Sequence, residues 1–394
     1  MYKKINLILL VFVMIFCSSC SAPLTNPSKP DAKDNNDEYV KAVWITYYEM
    51  SALTKDNDES HFKKAVNKMF KDLKNNGFNR VTVHVRANAD AFYKSDYFPV
   101  SSHCFGKQGS ELLYDPLSIM VELAHKHNMT IEAWVNPYRV SQSADFSSLS
   151  ESNIALKWKD TEKIIVCDSG IYFNPASGEV TDLIVNGIRE IVQNYDVDSV
   201  CFDDYFYPVK SENIDKEFYS DYTESGGKLT LDDWRRENVN NMVKAVYSSV
   251  KEIKPDVTFG ISPASNVDNN YSSLYADVQK WATEQGFVDY LCPQIYFGFQ
   301  NENQPFMKTV KEWINMADCD LYVALPMYKN GLEDEYAGEL GINEFIDNNN
   351  IIARQVTYLA KLGETKGFYI FSYSSLKDDD ETKNLYSAMQ NASE

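Results

Sequence analysis

The sequence predicts a single (β/α)8 TIM barrel of the α/β class. Three observations carry this. Short β-rich runs alternate with longer amphipathic stretches eight times between residues 39 and 394. Polar and aromatic residues gather where each β-rich run ends. No glycine-rich phosphate loop follows any run, as a doubly wound open sheet binding a nucleotide would show.

The chain opens with Met-Tyr-Lys-Lys and a largely apolar run from Ile5 to Phe16. Two lysines before about 12 apolar residues fit a secretory signal peptide, and the run is short of the roughly 20 residues a bilayer span needs. It ends at Cys17-Ser18-Ser19-Cys20. Small residues before a cysteine resemble a bacterial lipobox, which makes residues 1–19 a lipoprotein signal and Cys20 the lipidated first residue. Ordinary cleavage near Ala22 is the alternative. Residues 20–38 are mainly Pro, Ser, Asn, Asp and Lys. They have little to bury and read as a disordered tether.

The barrel strands expected from pattern are Ala42–Tyr48, Arg80–Ala87, Thr130–Tyr138, Ser199–Tyr207, Thr258–Ser265, Tyr290–Phe297, Leu321–Lys329 and Gly367–Ser375. Between them, apolar residues recur at helical spacing. Phe62, Ala65, Met69 and Leu73 mark one helix, and Leu183, Ile184, Gly187, Ile188, Ile191 and Val192 another. Val239, Met242, Val243, Val246 and Val250 mark a third, and a last helix runs from Thr382 to Met389.

Composition narrows the partners. The formal charge of −19 opposes nucleic acid and acidic lipid surfaces. It leaves a polysaccharide as partner, with membrane contact through the lipid anchor only. Beyond Cys17 and Cys20 the cysteines are Cys104, Cys167, Cys201, Cys292 and Cys319, an odd and scattered set without a C-x-x-C pair. They predict neither a disulfide framework nor a zinc site. Cys201 and Cys292 sit in apolar strands and read as small hydrophobes. The five histidines form no ligand cluster and no Gly-x-Ser-x-Gly elbow is present. No cofactor is expected, although a divalent cation at Asp203 and Asp204 stays open. Tyrosines crowd the strand ends at Tyr47, Tyr48, Tyr138, Tyr205, Tyr207, Tyr296, Tyr328 and Tyr373. Flat rings with a polar tip stack well on sugar faces.

In a barrel of this kind the chemistry sits at the C-terminal strand ends. The period of two puts Thr82, His84 and Arg86 on one face of the second strand, and Glu132, Trp134 and Asn136 on one face of the third. His84, in mid-strand, reads as a hydrogen-bonded core residue. Arg86, at the exit, is placed to hold a carboxylate or a sugar group.

Several runs resemble the glycosyl-hydrolase-like 10 family of bacterial envelope proteins. They include Phe78-Asn79-Arg80-Val81-Thr82-Val83-His84-Val85-Arg86, Ala89-Asp90-Ala91-Phe92-Tyr93-Lys94-Ser95 and Ala133-Trp134-Val135-Asn136-Pro137-Tyr138-Arg139. Phe202-Asp203-Asp204-Tyr205-Phe206-Tyr207-Pro208, Trp234 to Asn240, Phe259 to Pro263 and Asp289 to Tyr296 follow in order. The resemblance spans about Val40 to Ser375. It implies a barrel, a glycosidase activity and often a lipoprotein anchor. One branch is similar to enzymes that cut peptidoglycan glycan strands stripped of stem peptides, between N-acetylmuramic acid and N-acetylglucosamine. Glu132 and Cys201 stand where some relatives are expected to carry histidine, so no proton relay is assigned to them.

Glycoside hydrolysis generally uses one protonated and one ionised carboxyl. Asp203 and Asp204 are the first candidates. Neighbouring strand residues point opposite ways, so only one is expected to face the substrate. Asp203 shares its alternation with Ser199 and Cys201 and is favoured. Asp90 and Glu49 are the candidates for the partner carboxylate. Arg86, Asn136, Arg139 and Gln294 are the expected hydrogen-bonding groups. Trp134, Tyr138, Tyr205, Tyr207, Tyr296 and Tyr328 are the expected stacking or wall groups. The other function class is a non-catalytic glycan binder using the same cleft. A carboxyl about 5–10 Å from Asp203 or Asp204 across the cleft would favour hydrolysis, and only aromatics and amides there would favour binding.

Overall fold

A computed structural model describes residues 38–56 and 58–391. The expected signal peptide, lipid anchor at Cys20 and tether up to residue 37 lie outside the described residues. Tyr39–Glu394 form one compact unit.

Eight parallel strands close into a barrel. They are β1 (Val40–Ile45), β2 (Arg80–Arg86), β3 (Thr130–Val135), β4 (Ser199–Phe202), β5 (Thr258–Ile261), β6 (Tyr290–Leu291), β7 (Asp320–Leu325) and β8 (Gly367–Ile370). Each pairs with its sequence neighbours, and β8 returns to β1 with Val40 opposite Gly367. The strand period of two divides the apolar residues into two cores. Outward residues such as Val43, Val81, Val83, Ile131, Val200 and Phe259 pack under the helices. Inward residues Ala42, Trp44, Trp134, Cys201, Tyr290, Cys292, Tyr322 and Tyr369 fill the interior. The barrel is a packed core, not a pore.

The expected helices are present at Glu59–Asn75, Gly178–Asn194, Leu231–Ile253 and Asp380–Asn391. In the first, Asp58 accepts from the His61 amide as N-cap, and the buried stripe is Phe62, Val66, Met69, Phe70 and Leu73. Ala65, expected on that stripe, is exposed. Burying each large side chain of the stripe contributes roughly 1.5–3 kcal/mol.

All eight strands stop short of their expected C-terminal ends, for reasons visible locally. Thr46-Tyr47-Tyr48-Glu49 is a capping box that starts a helix at Tyr47–Thr54. Pro137, Pro293 and Pro326 lack the amide a ladder needs, and β3, β6 and β7 end within two residues of them. Met327–Lys329 and Tyr373–Ser375 are 3-10 turns instead of strand. The connection from β3 to β4 also holds an antiparallel three-stranded sheet of Arg139–Ser141, Gly170–Phe173 and Ile164–Cys167, which the sequence pattern did not reveal.

Candidate active site

A cavity of about 420 Å³ opens among the C-terminal strand exits. Trp44, His84, Trp134, Tyr296 and Phe371 are among its aromatic lining, and Asp203, Asp204, Arg139, Gln142, Gln294, Ser262 and Ser372 among its polar lining. Every barrel strand except β7 supplies a lining residue on or just after it.

Asp203 follows the last residue of β4 and is 3 % exposed. Its Oδ2 accepts from Trp134 Nε1 at 3.0 Å and from Asn136 Nδ2 at 3.3 Å. Its Oδ1 is buried with no hydrogen-bond partner. Burial, and then the charge of Asp204, push the carboxyl up to about 7; Arg139, the Trp134 hydrogen bond and the Tyr205 backbone amide oppose them. A carboxyl with this value is a proton donor matched to neutral pH. Asp204 is half-buried. Its Oδ1 accepts from Gln294 Nε2 at 3.1 Å, and burial raises its pKa too. The expectation that only one aspartate faces the cavity is corrected. The ladder ends at Phe202, the chain turns, and both residues line the cavity.

The supports are built locally. Gln294 stays in register through isolated bridges to Ala264 and Ala324 on either side, and its amide also donates to the Ser262 carbonyl at 3.0 Å. Asn136 closes an Asx turn, its Oδ1 accepting from the amides of Tyr138 and Arg139. That turn fixes the amide so that its NH2 points at Asp203. Asn136 is buried and absent from the lining, and it meets the cavity through its hydrogen bond to Asp203. Arg139 donates from Nε to the Ala87 carbonyl at 3.1 Å and stacks over the half-exposed Tyr205, 4.8 Å from the ring centre.

Several other expected site residues lie elsewhere. Arg86 is buried off the cavity, its guanidinium 4.3 Å over the Phe98 ring. The cause is a bulge in β2. His84 pairs with Trp134 but Arg86 with Val135, so Val85 is an extra residue and the alternation reverses. Arg86 then turns toward the helix Gly178–Asn194, where a Cβ at Gly187 would lie 2.7 Å from Phe98 and 3.7 Å from the guanidinium. Asp90 is 1 % exposed, holds Gln108 at 2.9 Å and does not line the cavity. Glu49 spends both oxygens on structure. One accepts from the Thr46 amide, the other from the Ser372 hydroxyl and the Ser374 amide. Tyr138 packs on Phe206, and Tyr207 on Tyr275 and Arg235, both deep in the outer core. Tyr328 is exposed and meets Tyr296 edge-on at 5.7 Å without lining the cavity. Trp134, Arg139, Tyr205, Gln294 and Tyr296 do line it.

His84 corrects the reading in the other direction. It lines the cavity and stacks on Trp134 with ring centres 3.5 Å apart, and neither ring nitrogen has a partner. Burial holds it well below the usual histidine range, with Arg139 adding to the effect, so the ring is neutral at pH 7. Trp44 was also missed. Its alternation with Ala42 on the inward face of β1 was the available signal. Among the described residues, no group of three or more His, Cys, Asp or Glu is placed to hold a metal ion.

Comparison with known proteins agrees with this architecture. Residues 39–337 match the family model described as glycosyl hydrolase-like 10. The chain is similar to "Glycosyl hydrolase YngK" of Bacillus subtilis (strain 168), at 34 % identity over 90 % of this chain and 73 % of the relative. It is also similar to "Glycosyl hydrolase DigH" of Escherichia coli O6:H1, at 29 % identity over 97 % of this chain and 95 % of the relative. Among solved structures, the catalytic domain of a β-amylase from Paenibacillus polymyxa superposes with a TM-score of 0.56. It is 10 % identical over 90 % of this chain and 99 % of that one, which speaks to the barrel fold alone. The chain belongs to the glycosyl hydrolase-like 10 family, and it is a glycosidase.

Proposed function

We propose that this glycosidase cuts a cell-envelope polysaccharide, the glycan strands of peptidoglycan, with Asp203 as the proton donor and Asp204 as its ionised neighbour. The observation that carries the chemistry is Asp203 Oδ1, a buried carboxyl oxygen without a partner in a cleft floored by aromatic rings. A buried polar atom left unpaired costs about 1–3 kcal/mol, and a bound glycosidic oxygen would satisfy it. The substrate assignment is supported by the motif resemblance to enzymes that act on peptide-stripped strands. Trp134, Tyr205 and Tyr296 offer ring faces for sugars, and Arg139 and Gln142 offer donors, while both N–H groups of Gln294 are spent on Asp204 and Ser262. Cys20 would hold the domain to the membrane through lipid, within reach of that polymer.

The test is incubation of residues 39–394 with intact and peptide-stripped peptidoglycan, followed by mass analysis of the products. Soluble oligosaccharides from the stripped polymer are expected. Finding none from either polymer overturns the substrate. The anchor is checked separately with Cys20→Ala, which should move the protein from the membrane fraction to the soluble one. A variant that stays with membranes after a high-salt wash argues against the lipobox.

A further inference from the structure

The cavity carries its acids on one side only. Among the described residues that line it, the carboxyl groups are Asp203 and Asp204, consecutive at the exit of β4. In the closed ring β8 lies opposite β4 and β1 stands beside β8. Those exits present Thr46, Tyr47, Tyr48, Phe371, Ser372 and Ser374 to the cavity. The carboxylate nearest to them, Glu49, is saturated by three donors, and Asp90 is buried against Gln108. A nucleophile or base must approach the anomeric carbon from the face away from the leaving oxygen, which is why paired carboxyls normally flank the bond about 5–10 Å apart. Two neighbours on one strand exit are poorly placed to divide those two faces.

We propose that the substrate supplies the missing nucleophile, the carbonyl oxygen of a 2-acetamido group on the sugar whose glycosidic bond is cut. This inference rests on the glycan-hydrolase reading above and gives the 2-acetamido group of those strands a part in the reaction. Asp203 gives its proton to the glycosidic oxygen as the bond from that oxygen to C1 breaks. A lone pair of the acetamido carbonyl oxygen forms a new bond to C1, giving a cyclic oxazolinium ion. The Asp204 carboxylate accepts from the acetamido N–H and balances the positive charge that develops. The alcohol departs, and water adds at C1 while losing a proton to the Asp203 carboxylate. The bond from C1 to the carbonyl oxygen then breaks, which restores the acetamide and Asp203. Water is the only co-reactant, and the anomeric configuration is retained after two inversions. The cavity floor suits the group. Trp44, Trp134 and Phe371 offer an apolar bed for the methyl, and Trp44 Nε1 is a buried donor without a partner.

The test uses the mature protein on peptide-stripped peptidoglycan strands that have been N-deacetylated and then re-acylated with acetyl, fluoroacetyl or trifluoroacetyl groups. Fluorine withdraws electrons from the carbonyl oxygen without much change in size. The expected result is a fall in kcat/KM of about 100-fold or more from acetyl to trifluoroacetyl, with retained configuration by NMR. A thiazoline analogue of the cyclic ion should compete with substrate. Cleavage indifferent to the acyl group, inverted product, or a trapped covalent glycosyl-enzyme would each overturn the inference and leave the peptidoglycan assignment standing. No cleavage of the N-acetyl strands at all overturns that assignment and this inference with it.

Discussion

Two layers of the barrel interior bury a carboxylate in opposite ways. Toward the N-terminal end, Glu132 accepts from the hydroxyls of Thr82, Tyr290 and Tyr369, with Arg80 3.7 Å away and itself bonded to Tyr369. Both of its oxygens are engaged. Toward the C-terminal end, Asp203 has one oxygen held by Trp134 and Asn136 and the other free. His84 and Trp44 beside it also keep unpartnered nitrogens. The difference teaches which buried charge is structural. A satisfied network rigidifies a fold, whereas orphaned polar atoms in a cavity are a cost that persists for a ligand. The same contrast separates Glu49, tied by three donors, from Asp204, whose side-chain partner is Gln294.

The largest expected effect tests that contrast directly. Asp203→Asn should lower turnover by about 100-fold or more, since a positioned proton-transfer group contributes typically 10²–10⁴-fold. Its thermal midpoint should stay level or rise. Equal losses of turnover and stability would place Asp203 with the structural layer. Glu132→Leu should behave oppositely. It strands Arg80 and three hydroxyls and should cost about 3 kcal/mol in denaturant unfolding. Turnover per folded molecule should persist. A stable Glu132→Leu protein would break the comparison from its other end.

The pH dependence sharpens the same point. Asp203 titrates near 7 in the fold and about 4 when unfolded. The raised value means that its contribution to stability is fully present below about pH 4 and is lost as pH rises through about 7. Activity should follow the protonated form, so kcat/KM should fall about tenfold per pH unit above about 7. Denaturation and rate profiles of the wild type and Asp203→Asn check this, because the variant should lose both features. The smallest effect belongs to the rim. Tyr205→Ala should raise KM about fivefold, roughly 1 kcal/mol of stacking, with kcat nearly unchanged. A matching fall in kcat would move Tyr205 from wall to chemistry.

The residues that were legible from sequence are those whose position follows from period and strand count. Asp203, Asp204, Trp134, Arg139, Tyr205, Gln294 and Tyr296 all reach the cavity because each sits on a strand exit or just beyond it. Arg86 lies off the cavity because one extra residue, Val85, reverses the alternation, and a bulge leaves no mark in hydrophobic pattern. Glu49 is engaged in capping instead, and that signal is local, since Thr-x-x-Glu before an apolar residue is a helix start. A mid-strand histidine is ordinarily a hydrogen-bonded core residue, whereas here nothing bonds the His84 ring nitrogens.

By itself the sequence determined the barrel, its two apolar faces and the end at which polar groups collect. These follow from local periods of 2 and 3.6 repeated eight times, which any register of the closed sheet must respect. Only the tertiary structure decided which carboxyls share a cavity and which are spent on capping or packing. That choice depends on hydrogen-bond partners far apart in the chain, such as Gln294 with Asp204 and Ser374 with Glu49, and no local pattern encodes them.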